Sequence, residues 1–207
     1  MTLVRPEEGI EAPTVIHRVL GADADRLPAV VRRFHCRPDD AVGEGVFTVW
    51  RSRTALGRLA AALMRFPGAT DATPVAVTVR RRPGPTTEAW SRRFGADELA
   101  SVKAVQGTLL LERIGRLEIG FELRVVERRL WFVQVLARLR VVGDRTVVLP
   151  RALAPRVEVN VGASGDEQRL DVRARVVAPI VGPVFGFSGE LTEAQADIHP
   201  ADIELTA

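Results

Sequence analysis

The stretch TEAWSRRFGADELAS, residues 87–101, sets Trp90, Arg92 and Phe94 at alternate positions. Alternate side chains of a regular strand share one face. An indole, a guanidinium and a phenyl ring therefore point the same way. An arginine between two aromatic rings can stack on them and still offer its fork to a carboxylate. Glu112, in LLERIG, is the nearest such carboxylate on a neighbouring strand. Two readings stay open. One is a structural Arg–Glu pair anchored by aromatics, because an interior guanidinium is costly unless paired. The other is an anion or carbonyl clamp in the mouth of a barrel. Ser101 lies one short strand away, either as a further donor to the same site or as an ordinary strand serine.

His35, at the rim of an apolar helix face, is the best acid–base candidate because histidine titrates near neutrality. The alternative is a hydrogen-bonded core histidine. Glu112 is the second candidate proton shuttle. Cys36 adjoins His35, but successive helix residues point about 100° apart, so a Cys–His dyad is not expected. His17 reads as a surface residue and His199 as a tail residue. With three histidines, one cysteine and no tight spacing, no zinc site or other cofactor is expected. FGFSGEL adds Phe187 and Glu190 as ligand-binding candidates beside Trp90, Arg92, Phe94 and Ser101. Gly182, Gly186 and Gly189 there point to a bend or close backbone approach, since no helix follows to make a phosphate loop.

The elements that must position these residues follow from length and pattern. The chain has 207 residues, read as one domain with a core over about residues 13–191 and a polar tail over 192–207. Its single cysteine rules out an internal disulfide. The start, MTLVRPEEGI, lacks the apolar run of a signal peptide, and no run approaches a membrane span of about 20 residues. These features predict a cytoplasmic protein. Lys103 is the sole lysine among 29 basic residues, and tyrosine is absent. That bias points to a GC-rich bacterial genome. The net charge of +3 spreads 26 acidic residues among the arginines, so nucleic acid is not expected as a partner. Arg80, Arg81 and Arg82 read as a solvated strand end. Arg51, Arg58 and Arg65, seven apart, read as a solvated basic stripe, with an anionic surface as the minority reading.

Residues 13–20 read as a short amphipathic turn ending at Gly21. Asp25 reads as the cap of a second helix with the stripe Leu27, Val30, Val31 and Phe34. GEGVFTVW is a strand. Ser52 caps a third helix with the stripe Leu56, Leu59, Ala60, Leu63 and Met64, stopped by Pro67-Gly68. Strands follow, with a two-residue hairpin at Gly115-Arg116. In LWFVQVLARLRVV the alternation puts Trp131, Val133, Val135, Ala137, Leu139 and Val141 on one face. The sum is α+β: a strongly curved antiparallel sheet or barrel of about nine strands, covered by two or three N-terminal helices.

Several short signatures occur in order: RLPAVVRRFHC, GEGVFTVWRS, LMRFPGA before TPVAVTV, EAWSRRF, LLERIG, LRVVERRLWF, LPRALAPRVE and GPVFGFSGEL. In this order they resemble the bacterial family known as domain of unknown function 4166, over roughly residues 25–191. The resemblance implies a domain often attached to NAD(P)-binding domains of the saccharopine-dehydrogenase or epimerase type. This chain has no glycine-rich dinucleotide fingerprint and resembles the stand-alone form. The family's final motif more often has tyrosine where this chain has Phe187. No activity comes with the resemblance.

The function expected is binding of an apolar small molecule or lipid-like metabolite inside a helix-capped curved sheet. The alternatives are a cyclase or isomerase on the same scaffold, using His35 or Glu112, and a non-catalytic partner of an NAD(P)-dependent oxidoreductase.

Overall fold

The structure, a computed structural model, describes residues 13–64, 66–81, 87–141 and 145–194. Three elements precede the sheet: helix α1 (Val15–Leu20), a 3-10 segment (Gly21–Arg26) and helix α2 (Ala29–Cys36). Thr14 caps α1 by accepting from His17 N. Asp25 does not cap α2, which starts after Pro28 with no side-chain cap; Asp25 pairs with Arg32 instead. The 3-10 segment takes up the residues where an earlier helix start was expected. Val30, Val31 and Phe34 form the buried face of α2, and His35 is buried beside them.

The sheet begins with β1 (Ala41–Arg51) and, after helix α3 (Ala55–Leu63), continues through β2 (Thr70–Arg81), β3 (Thr87–Phe94) and β4 (Asp97–Gln106). Then come β5 (Leu109–Ile114), β6 (Leu117–Val126), β7 (Arg129–Arg140), β8 (Thr146–Val148), β9 (Arg156–Ala163), β10 (Leu170–Ala178) and β11 (Gly182–Ala194). Every pairing is antiparallel. The order β6-β5-β4-β3-β2-β1-β11-β10-β9-β7 closes through a β6–β7 pairing into a ten-stranded barrel, with β8 as an extra strand on β7. Closure removes the sheet edges. The expected α+β barrel is therefore present, with eleven strands among the described residues rather than about nine. β8 is only three residues long and fully exposed, so it leaves no burial pattern to read. Residues 192–194, expected in the tail, extend β11, and 195–207 lie outside the described residues.

On the edge away from β6, long β7 serves two partners. Leu130–Val133 pair with β9, and Arg138–Arg140 pair with β8. Where the β9 ladder stops, the Gln134 amide replaces it: Oε1 accepts from Val157 N and Nε2 donates to Pro155 O, both at 2.7 Å. The register against β6 also shifts between Gly120 and Phe121, leaving Val135 as an extra residue. The expected single face of β7 is corrected here. Leu130, Phe132 and Ala137 are buried, whereas Trp131 and Val135 are exposed, because the bulge flips the alternation halfway along.

Helix α3 also departs from its pattern. Thr54, not Ser52, caps it by accepting from Gly57 N. Gly57 and Ala61 face the barrel, while Leu56 and Leu59 are exposed. A Cβ on Gly57 would come within 2.0 Å of Ser52 Oγ, so glycine lets the helix start close against the loop that leads from β1. Arg51 belongs to β1 and Arg58 to α3, and Arg65 lies outside the described residues, so the basic stripe is not on one helix.

Of the glycines expected to give a bend or a close approach, Gly186 and Gly189 of β11 allow close approach, and Gly182 takes a φ of 79° at the turn into the strand. A Cβ on Gly186 would meet the Trp50 ring at 2.5 Å, and one on Gly189 would meet Phe47 at 2.4 Å.

Candidate functional site

β3 carries Glu88, Trp90, Arg92 and Phe94 on its inner face. β4 adds Leu99, Ser101 and Lys103, and β5 adds Leu110 and Glu112. The register sets Trp90 beside Ser101, Glu88 beside Lys103, and Lys103 beside Glu112. Five polar residues thus converge on a wall of three neighbouring strands.

Arg92 is occupied. Its Nη2 donates to Glu112 Oε1 at 3.0 Å, and its Nη1 donates to Ser101 Oγ at 3.0 Å. The Ser101 hydroxyl donates in turn to Glu112 Oε1 at 2.7 Å. The same guanidinium carbon lies 5.2 Å from the Trp90 ring centroid. Arg92 is therefore the ion-pair partner of Glu112, and it also lines the cavity described below.

Lys103 is the unforeseen member. Its Nζ sits 3.7 Å from the Trp90 centroid and 5.1 Å from that of Phe132. Among the described residues no carboxylate oxygen lies within salt-bridge distance of it. Burial is the main cause that brings its pKa down to about 8, only partly opposed by Glu112. Burial also pushes the Glu112 carboxyl up, but Lys103, Arg92 and the Ser101 hydrogen bond outweigh it and hold the pKa at about 2. Glu112 is thus an ionised acceptor at neutral pH, not a proton donor. The group Arg92, Lys103 and Glu112 carries one net positive charge.

His35 stacks on Trp90, with ring centroids 5.5 Å apart and planes 19° apart. Burial, then the charges of Lys103, Arg81 and Arg92, hold it well below its usual pKa, so the ring is neutral. Its Nδ1 is buried without a hydrogen-bond partner among the described residues. Burial raises the neighbouring Cys36 thiol to about 11, which leaves it protonated and unreactive.

Glu88 ties the helices to this wall. Its Oε1 accepts from Val15 N at 3.1 Å, and its Oε2 accepts from Trp90 Nε1 at 3.0 Å. Arg81 lies 3.4 Å from the same carboxylate and donates to Phe34 O at 2.8 Å. Arg81 is thus not the solvated strand end expected: it is buried because it satisfies a carbonyl at the end of α2. Thr14 Oγ1 donates to the next carbonyl, that of His35, at 3.0 Å.

Inside the barrel is a cavity of about 1080 Å³. Phe34, His35, Trp90, Arg92, Lys103 and Glu112 line the end beneath the helices. Phe94, Phe187 and aliphatic residues of β9–β11 line its length. It reaches the far end of the barrel, where the β5–β6 turn at Gly115-Arg116 and exposed Leu153 rim it. Of the residues singled out in the sequence, Trp90, Arg92, Phe94, Phe187, His35 and Glu112 share this lumen. Ser101 is buried against it through Arg92. Glu190 is not brought there. It is about half exposed and pairs with Arg169 at 2.6 Å, because its strand position faces outward. His17 is exposed, and His199 lies outside the described residues.

Sequence reasoning missed Lys103 and Glu88. The signals were present: Glu88 continues the alternation of Trp90, Arg92 and Phe94, and Lys103 continues that of Leu99 and Ser101. Among the described residues no cluster of three or more histidine, cysteine or carboxylate side chains could hold a metal ion.

A closed antiparallel barrel, plugged by helices at one end and charged at the floor beneath them, is the class of protein these features define. The chain belongs to the family described as a domain of unknown function (DUF4166), whose sequence profile matches residues 27–191. No functionally curated protein matches the sequence. Among the described residues no helix is long and apolar enough to cross a membrane.

Proposed function

We propose that the barrel binds an apolar small molecule in its lumen, with the molecule's one polar end against Lys103, Arg92 and Glu112. The observation that carries this reading is the distribution of polarity along the cavity. Its wall is aliphatic and aromatic for most of its length; Glu98 and Arg116 stand toward the open far end, and the ionised groups Arg92, Lys103 and Glu112 gather at the helix-covered end. Small-molecule sites typically pair such an apolar lining with a few converging polar groups, in volumes of roughly 300–1000 Å³. A cavity of about 1080 Å³ accommodates a molecule of that class. The oxidoreductase-partner reading rests on family resemblance alone.

The test uses Trp90, which lines the cavity; Trp50→Phe and Trp131→Phe leave it as the sole tryptophan. Dodecanol titrated into that variant quenches Trp90 fluorescence saturably. Ala174→Phe, which fills the lumen from β10, weakens the titration at least tenfold while the protein stays folded. Absence of saturable quenching by dodecanol and by dodecanoate sinks the proposal.

A further inference from the structure

Twenty-eight of the 29 basic residues are arginine, and the remaining one, Lys103, points into the lumen. Charge alone does not require a lysine there. An arginine stacks on tryptophan at least as well and is never deprotonated. What only lysine supplies is a primary amine that can become a neutral nucleophile.

Its surroundings favour that chemistry. Trp90 and Phe132 flank Nζ, and no carboxylate oxygen among the described residues lies within salt-bridge distance of it. Glu112, its cross-strand neighbour, is already held by Arg92 and Ser101. It remains an anion close by, without locking the amine as an ammonium.

Resting on the binding reading above, we infer that Lys103 captures an apolar aldehyde or ketone in the lumen as an imine, with the Glu112 carboxylate balancing the charge of its protonated form. The Nζ lone pair attacks the carbonyl carbon. A C–N bond forms and the carbonyl π pair passes to oxygen. One proton moves from nitrogen to oxygen to give the carbinolamine. The hydroxyl leaves as water with the remaining Nζ proton to give C=N, whose nitrogen takes one proton from solvent. Nothing is oxidised or reduced, and water is the only by-product.

The pKa of about 8 supports this. At pH 7 about one lysine in ten is then neutral, against about one in 3000 for an ordinary side chain at 10.5.

The full chain is incubated with dodecanal and sodium cyanoborohydride at pH 7 and analysed by intact mass and peptide mapping. One dodecyl group is expected on Lys103, added at least tenfold faster than on N-acetyl-lysine in the same tube. Lys103→Arg keeps the charge and loses the adduct. Labelling of Lys103 no faster than N-acetyl-lysine, with dodecanol bound, overturns the imine and leaves the binding reading standing. Failure of both dodecanol and dodecanal to bind removes the binding reading, and the imine with it.

Discussion

Lys103 Nζ rests 3.7 Å from the centroid of the Trp90 ring, inside a barrel whose every other basic residue is arginine. With Arg92 and Glu112 it makes a group of three charges that sums to plus one. That sum sets how the group responds to substitution.

Glu112→Leu leaves two cations facing each other in the wall. It is expected to cost about 3–5 kcal/mol of folding stability in urea titrations. Arg92→Leu is expected to be milder by about 1 kcal/mol or more, since Lys103 then balances Glu112. Equal costs for the two variants would show that Lys103 takes no part in the balance.

Alkaline titration isolates Lys103. Its folded pKa of about 8 lies below the ordinary 10.5, so the unfolded chain binds a proton that the folded chain lacks between those values. Stability therefore rises with pH across that window, by at most about 3 kcal/mol. Cys36 works oppositely, since its folded pKa of about 11 lies above its ordinary 9.0 and its contribution is lost as pH rises. No tyrosine complicates the range. In a Cys36→Ala background thermal stability should climb from pH 8 to 10, and Lys103→Met should flatten that climb and raise the melting temperature at pH 7. A flat profile with Lys103 present refutes the assignment.

Acid titration reports on His35. Its folded pKa is depressed, so its contribution is present above about pH 6.5 and lost as pH falls below it. His35→Phe keeps a ring against Trp90 and should remove the loss between pH 6.5 and 5. The further loss toward pH 2 belongs to carboxylates such as Glu112, whose contribution is present above about 4.5 and falls away below it. An unchanged slope in His35→Phe excludes the histidine as its source.

Glu88 should govern the helical cap. Glu88→Ala strands Val15 N, Trp90 Nε1 and buried Arg81 together, at about 3–5 kcal/mol. Hydrogen exchange should quicken across residues 15–36 more than across β9–β11. Uniform quickening would mean that the cap and the barrel open as one unit.

Much of the fold was legible locally. Alternation in TEAWSRRF and the Gly115-Arg116 turn specify strands and a hairpin, because side-chain period and turn chemistry act over a few residues. The Arg92–Glu112 pair was legible as one of two readings, since an interior guanidinium is costly unless a carboxylate pairs with it. Val135 was not. A bulge depends on the partner strand's register, and it turned half of β7 to the opposite face. Leu56 and Leu59 misled as well: their spacing defines an apolar stripe, but the buried positions of α3 are Gly57 and Ala61.

The sequence by itself determined the class: short antiparallel strands with one apolar face, helices ahead of them, and an arginine that needs a carboxylate. Local periodicity and the cost of burying a lone charge are properties of the chain, so they can be read from it. Only the tertiary structure decided that the sheet closes through β6 and β7, that Glu190 points outward, and that the single lysine lies over Trp90. Those outcomes depend on register between strands far apart in sequence, which no short stretch encodes.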